Sequence, residues 1–139
     1  MNKNTAEEIY SRNYGSEQFF KRDYYDELFY TEGIMDFQKT LNAYWVVDTV
    51  ISYMPKVIKT SKTEDDGFFV VTIKINADNR GIFEIYREGW INNKYNEHIT
   101  VVKQEIPYID LPIYDYKFYL ILSHAEPIRF TLILTSEYW

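Results

Sequence analysis

The sequence contains no cysteine, and this absence excludes several kinds of site at once. Without thiol groups the chain has no disulfide bond, no thiolate nucleophile and no zinc site built on sulfur. No apolar run reaches the roughly 18 residues that a membrane-spanning helix needs. The segment MNKNTAEEIY also lacks the hydrophobic core of a signal peptide. We therefore expect a soluble, cytoplasmic protein that does not bind a membrane.

Glycine and positive charge are also scarce. The five glycines are isolated from one another, so they cannot form the glycine-rich loop that holds a phosphate group. The formal net charge is −6, which argues against binding a nucleic-acid backbone, because that backbone requires clustered Lys and Arg. An acidic surface is better suited to a basic partner.

Aromatic residues, in contrast, are abundant: the chain has 14 Tyr, 9 Phe and 3 Trp. The core of a domain of this size does not need so many tyrosines. Several of them are expected to be half-exposed, where aromatic side chains favour protein interfaces or stacked ligands.

The segment Ile34–Met54 predicts one long central helix. Thr31–Gly33 is a start signal, Pro55 is a stop signal, and neither Gly nor Pro lies between them. At about 100° per residue, the apolar side chains cover more than half of the helix circumference, which is wider than one sheet face usually covers. The helix is therefore expected to be nearly surrounded in the monomer, or to pack against a second copy. We predict a homodimer.

Asp48 lies within this apolar arc, while Gln38, Asn42 and Thr49 mark the narrower polar face. A bare carboxylate in an apolar environment is energetically costly. Asp48 either accepts hydrogen bonds from a tyrosine or a backbone N–H group and fixes the packing, or it is a functional carboxylate with a shifted pKa.

After Pro55 the apolar period changes from 3.6 residues to two, which predicts strands. Five strands are indicated, at Phe68–Ile75, Ile82–Arg87, His98–Ile106, Lys117–Leu122 and Ile128–Thr135. Glu88–Asn96 reads as a loop, and the prolines of Pro107–Tyr114 exclude a central strand. The order of a helix followed by closely linked strands predicts an α+β fold, with an antiparallel sheet of about five strands packed on one long central helix.

The region before the central helix is less regular. Residues 1–13 are expected to form a partly flexible extension, and residues 14–139 a single α+β domain. Short N-terminal helices are predicted, including one that Ser16 caps and that presents Phe19 and Phe20. The segment Asp23–Tyr30 is read as helical or irregular.

Several short segments occur in order along the chain: Gly15–Phe20, Tyr30–Gly33, Ala43–Asp48, Gln104–Pro107, Asp110–Pro112, Phe118–Ile121 and Leu134–Tyr138. Together they resemble DUF6876, a family of small bacterial and phage or mobile-element proteins of unknown function. The chain departs from the family pattern in its extended N-terminus and around Arg87–His98. The resemblance implies one compact domain, but it implies no activity, substrate or catalytic residue.

The residue types show no combination of nucleophile, base and stabilising group, so we predict no enzymatic activity, no cofactor and no metal site. The histidines, His98 and His124, are expected at the surface without a special role. Asp110 and Asp115 flank a proline-tyrosine segment and could bind a cation, but such aspartates more commonly cap turns.

The residues to which we assign ligand or partner binding are aromatic except for one acid: Tyr44, Trp45, Asp48, Trp90, Tyr95, Tyr108 and Tyr114. Loop aromatics that gather over one end of the sheet would clamp a base or a short peptide. The alternative is a plain aromatic core.

Two functions are consistent with these features. The first is a non-enzymatic binding protein, of phage or mobile-element origin, that acts by occluding a host protein. The second is a binder of a small molecule or a nucleotide signal that uses the aromatic loops as its pocket. A hydrolase that uses Asp48 ranks last because no partner base is evident.

Overall fold

Alternating apolar side chains build the centre of the fold. The computed structural model describes residues 3–15, 18–64, 67–123 and 129–138. The segment Phe68–Ile75 forms a strand with the bounds that the sequence predicts. Phe69, Val71 and Ile73 on one side of this strand are fully buried, so the hydrophobic core lies against that face of the sheet.

Within the described residues the chain forms one sheet of seven strands and three helices. The strands are β1 (Phe19–Phe20), β2 (Leu28–Thr31), β3 (Phe68–Ile75), β4 (Gly81–Ile91), β5 (Lys94–Ile106), β6 (Asp115–Ser123) and β7 (Arg129–Leu134). The helices are α1 (Lys3–Arg12), α2 (Glu32–Leu41) and α3 (Tyr44–Glu64), and Thr135–Glu137 adds a 3₁₀ turn. The strand order is β1-β2-β7-β6-β3-β4-β5, and β2 is parallel to β7 while the other neighbours are antiparallel.

The predicted fold class is wrong in two respects. The sheet is mixed and has seven strands rather than about five antiparallel ones, because β1 and β2 come from segments that were read as helical or irregular. The predicted single central helix is also divided into α2 and α3. Both errors concern the segment before β3, where the apolar pattern is too short or too broad to identify the element.

The division between α2 and α3 occurs at Asn42. Its backbone adopts the left-handed conformation, with φ 51° and ψ 47°, which asparagine tolerates better than most residues. The break changes the phase of the wheel, so α3 turns Val46, Val47 and Val50 to the core. Asp48 consequently lies on the outer side of α3, with about half of its side chain exposed, and not within a buried arc.

Pro55 does not end the helix, contrary to the prediction, but lies inside α3. A proline in a helix interior costs roughly 3 kcal/mol, because one hydrogen bond is lost and the ring crowds the preceding turn. Met54 and Val57 on either side of it are fully buried, so core packing offsets this cost. Among the helices that the structure describes, none is both long and apolar enough to span a membrane.

The sequence predicts a partly flexible extension over residues 1–13. In the structure this region contains α1, which packs on the rest of the fold. Ala6 and Ile9 of α1 are fully buried in the core. Arg12 of α1 forms a two-point ion pair with Asp36 of α2, with Nε–Oδ2 and Nη2–Oδ1 distances of 2.7 Å. The hydrogen bond from Arg12, against an opposing effect of burial, lowers the pKa of the Asp36 carboxyl group.

The carboxylate of Glu137 closes the start of α2. It accepts hydrogen bonds from Thr31 Oγ1 at 2.6 Å and from the backbone N–H of Gly33 at 3.1 Å. A methyl group at Gly33 would lie 2.4 Å from Glu137 Oε1, so this close approach requires glycine. The negative charge also suits the positive end of the helix dipole. The 3₁₀ turn is thereby fixed to the start of α2, 104 residues earlier in the chain.

A second connection depends on Arg22, in the link between β1 and β2. Its guanidinium group donates to Gln38 Oε1 at 2.6 Å, to the Tyr30 hydroxyl at 2.8 Å and to Asp48 Oδ1 at 3.1 Å. It also donates to the carbonyl oxygen of Tyr44 at 3.0 Å. Gln38, predicted on the polar face, is fully buried because Arg22 satisfies its amide oxygen. We call these residues the Arg22 network.

We expect Arg22→Met to destabilise the fold by about 2–4 kcal/mol, because it leaves the buried amide oxygen of Gln38 without a charged donor. The free energy of unfolding, measured by urea denaturation, tests this. Arg80→Met is the control, because Arg80 is exposed, and a change within about 0.5 kcal/mol is expected there. Equal effects of the two substitutions would contradict the importance of the Arg22 network.

The lowered pKa of Asp36 predicts a dependence of stability on acid. Its stabilising effect is present above the usual value of 3.8, and it is lost as the pH falls through the lower pKa of the folded state. The free energy of unfolding of Asp36→Asn should therefore fall less steeply than that of wild type below about pH 4, by at most about 1.4 kcal/mol per pH unit. Parallel curves for the two proteins would show that Asp36 does not cause the acid sensitivity.

Candidate functional site

A two-stranded ribbon extends the sheet at one end of β4 and β5. The ladder between β3 and β4 stops at the pair Val70–Tyr86, but β4 and β5 continue to pair as far as Ile91 and Lys94. Asn92 and Asn93 form the turn, with positive φ values of 51° and 64° that are typical of a type I′ hairpin. We call residues 87–99 the β4–β5 arm. The predicted loop over Glu88–Asn96 is therefore wrong, although an asparagine pair between strand-like runs is a hairpin signal.

The tip of the β4–β5 arm displays large apolar side chains. Trp90 is 67% exposed, and Ile91 and Tyr95 are each 44% exposed. The rings of Trp90 and Tyr95 meet edge to face with their centroids 5.4 Å apart. The Tyr95 hydroxyl donates to Glu88 Oε2 at 2.5 Å, which holds the ring across the ribbon. Ile91 is absent from the predicted site residues, because its place beside the turn follows only from the pairing of β4 with β5.

The base of the arm is packed more tightly than its tip. Arg87 is 5% exposed, and a methyl group at Gly89 would lie 2.2 Å from Arg87 Nη1. Gly89 therefore gives room for the Arg87 side chain to pass along the ribbon. The arm is anchored at its base and exposed at its end.

The other predicted site residues lie elsewhere. Tyr44 and Asp48 meet in the Arg22 network, near the β1–β2 edge of the sheet, while β5 forms the opposite edge. Trp45 and Tyr114 are half-buried and pack against the core, and Tyr108 is 65% exposed on the connection from β5 to β6. The structure thus brings Trp90 together with Tyr95 and Tyr44 together with Asp48.

The face of the sheet opposite the core carries a polar cluster around Glu84. Glu84 Oε2 lies 2.7 Å from His98 Nε2 and accepts the hydroxyl hydrogen of Thr100 at 2.5 Å. Burial opposes ionisation, but these hydrogen bonds prevail and lower the pKa of Glu84. The His98 ring stacks on Tyr86 with centroids 3.8 Å apart.

His98 and Thr100 both direct a polar atom to the same carboxylate oxygen of Glu84, and among the described residues they form no hydrogen bond with each other. In the described part of the chain no group of three or more His, Cys, Asp or Glu side chains is arranged to hold a metal ion. His124 lies outside the described residues.

One comparison with known proteins identifies the family. The sequence matches the family described as "Family of unknown function (DUF6876)" over residues 4–138, which is nearly the whole chain. No curated protein and no solved structure gives a significant match. The match also covers the β4–β5 arm and all of α1 except Lys3. The chain belongs to DUF6876, a family of unknown function.

Proposed function

We propose that the chain is a non-enzymatic binding protein that inserts the tip of the β4–β5 arm into an apolar cleft of a partner protein. The observation that carries this proposal is that Trp90 is 67% exposed near the tip of the arm. At this position β4 no longer pairs with β3. Tryptophan and tyrosine are the residues most enriched among those that dominate binding energy at protein interfaces.

The apolar tip contributes little to the stability of the fold itself. Burying a large apolar side chain yields about 1.5–3 kcal/mol, and the exposed portions of Trp90, Ile91 and Tyr95 do not gain this energy in the isolated chain. A two-stranded ribbon is also only marginally stable alone. Large apolar residues at its tip do not stabilise it unless a partner covers them. A partner protein that buries them would recover that energy.

The arm is organised before it meets a partner. The type I′ turn at Asn92 and Asn93, the edge-to-face rings and the Tyr95–Glu88 hydrogen bond each restrict its conformation. Binding by a preorganised ribbon loses less conformational entropy than binding by a flexible loop. The arm therefore suits tight recognition by few residues.

The charges of the arm favour a protein over a nucleic acid as the partner. Lys94 at the turn is accompanied by the acids Glu88 and Glu97, so no basic cluster is available for phosphate groups. The net charge of −6 gives long-range attraction to a basic partner. The resemblance to phage and mobile-element proteins supports a host protein as the partner, whose working surface the chain would occlude.

A photo-crosslinking amino acid at position 90, in cells that naturally express the chain, tests this proposal. We expect one discrete adduct from position 90 and none from position 108, because Tyr108 is equally exposed but lies outside the arm. With the purified partner, Trp90→Ala should weaken binding by roughly 30-fold or more, which is the effect of about 2 kcal/mol.

Tyr108→Ala is the matched control and should leave the Kd unchanged. Both variants should unfold at the same urea concentration as wild type, because both side chains are largely exposed. Equal adducts from positions 90 and 108, an adduct only with a second copy of the chain, or unchanged affinity of Trp90→Ala would overturn the proposal.

A further inference from the structure

A pocket of about 630 Å³ lies at the far end of β3 and β4 from the β4–β5 arm, next to the turn that joins these strands. Its volume lies in the range that small-molecule sites occupy. The walls include Lys74, Asn76 and Arg80 from the turn region, Ile82 from β4, and Glu105 and Pro107 from the end of β5. None of these residues belongs to the proposed partner surface.

The walls of the pocket are held by hydrogen bonds that do not require a ligand. The side-chain oxygen of Asn76 accepts the backbone N–H groups of Asp78 and Arg80 at 3.0 and 3.1 Å. The backbone N–H of Ile109 donates to the carbonyl oxygen of Asn79 at 2.8 Å, which ties the β5–β6 connection to the turn. The pocket is therefore largely preformed.

Glycine at position 81 permits this closure. A methyl group there would lie 2.1 Å from Ile109 Cδ1 and 3.1 Å from the carbonyl oxygen of Lys74, so a larger residue would displace the buried side chain of Ile109.

The charges in the pocket differ from those of the whole chain. Lys74 and Arg80 line the pocket with one carboxylate, Glu105, in a protein with a net charge of −6, and Asp115 lies opposite Lys74 in the ladder between β3 and β6. Among the described residues no side chain forms a hydrogen bond or ion pair with the Arg80 guanidinium group, whereas Arg12 and Arg22 are both paired. Two cations with free donor atoms on one pocket attract an anionic group.

We propose that this pocket binds a nucleotide. Its phosphate group would take the donors of Lys74 and Arg80, and Glu105 would accept hydrogen bonds from the sugar hydroxyl groups. The apolar surface of Ile82 and Pro107 would contact the base. The phosphate group would therefore be held by the cationic side chains of Lys74 and Arg80 and not by the backbone of a glycine-rich loop, which the chain does not have.

Titration of the purified chain with AMP, GMP, CMP and UMP, each followed by NMR shifts of the backbone amides, tests the proposal. We expect at least one nucleotide to shift the signals of Arg80 and Gly81. The matching nucleoside and inorganic phosphate should each bind at least about tenfold more weakly than that nucleotide, because each lacks half of the contacts.

Lys74→Gln and Arg80→Gln should each weaken nucleotide binding about tenfold or more, while Lys103→Gln should not, because Lys103 lies on β5 but does not line the pocket. Absence of shifts with all four nucleotides, equal binding of the nucleoside or of phosphate, or unchanged binding by Arg80→Gln would overturn the proposal. Since no partner protein is present, this result is independent of the function proposed for the β4–β5 arm.

Discussion

The fold depends on placing one guanidinium group where four elements meet. Arg22 joins the β1–β2 link to β2, α2 and the start of α3, and its four contacts use all three nitrogens of the planar group. A lysine could not make the same four contacts, because its three N–H groups all lie on one nitrogen, whereas the guanidinium group spreads its donors over three nitrogens. Arg22 also explains why a buried glutamine and an exposed aspartate occur in helices whose apolar pattern suggests the reverse arrangement.

Glu137 complements this network from the other end of the chain. Its carboxylate holds the start of α2, and the Arg22 network holds the junction between α2 and α3. Both ends of α2 are thereby fixed by charged groups outside the helix, one shortly before it and one about a hundred residues after it. The segments Tyr30–Gly33 and Leu134–Tyr138, which both carry the family resemblance, meet at this point.

Local pattern was sufficient to predict the central strands but not the helices or the edge of the sheet. The alternation of Phe69, Val71, Ile73 and Ile75 predicts β3 at its observed bounds, although Val70 and Thr72 on the other face are also buried. In contrast, β2 is a four-residue strand whose only long partner is β7, about a hundred residues later. The helix breaks at Asn42, where continuation is predicted, and continues through Pro55, where an end is predicted. Long-range packing decides whether a helix breaks or continues at such residues. For the candidate site, composition identified Trp90 and Tyr95, but their common position required the hairpin register, and Arg22 carries no local signal of its role.

The position of β7 has a consequence for how the molecule assembles. It is the last strand in chain order, yet it lies between β2 and β6 and joins them into one sheet. Until residues 129–134 are available, β2 has no neighbour on that side and β6 exposes a row of unpaired backbone groups. During synthesis, therefore, β2 and β6 lack this shared neighbour until β7 has been made, and unpaired strand edges of this kind favour incorrect pairing.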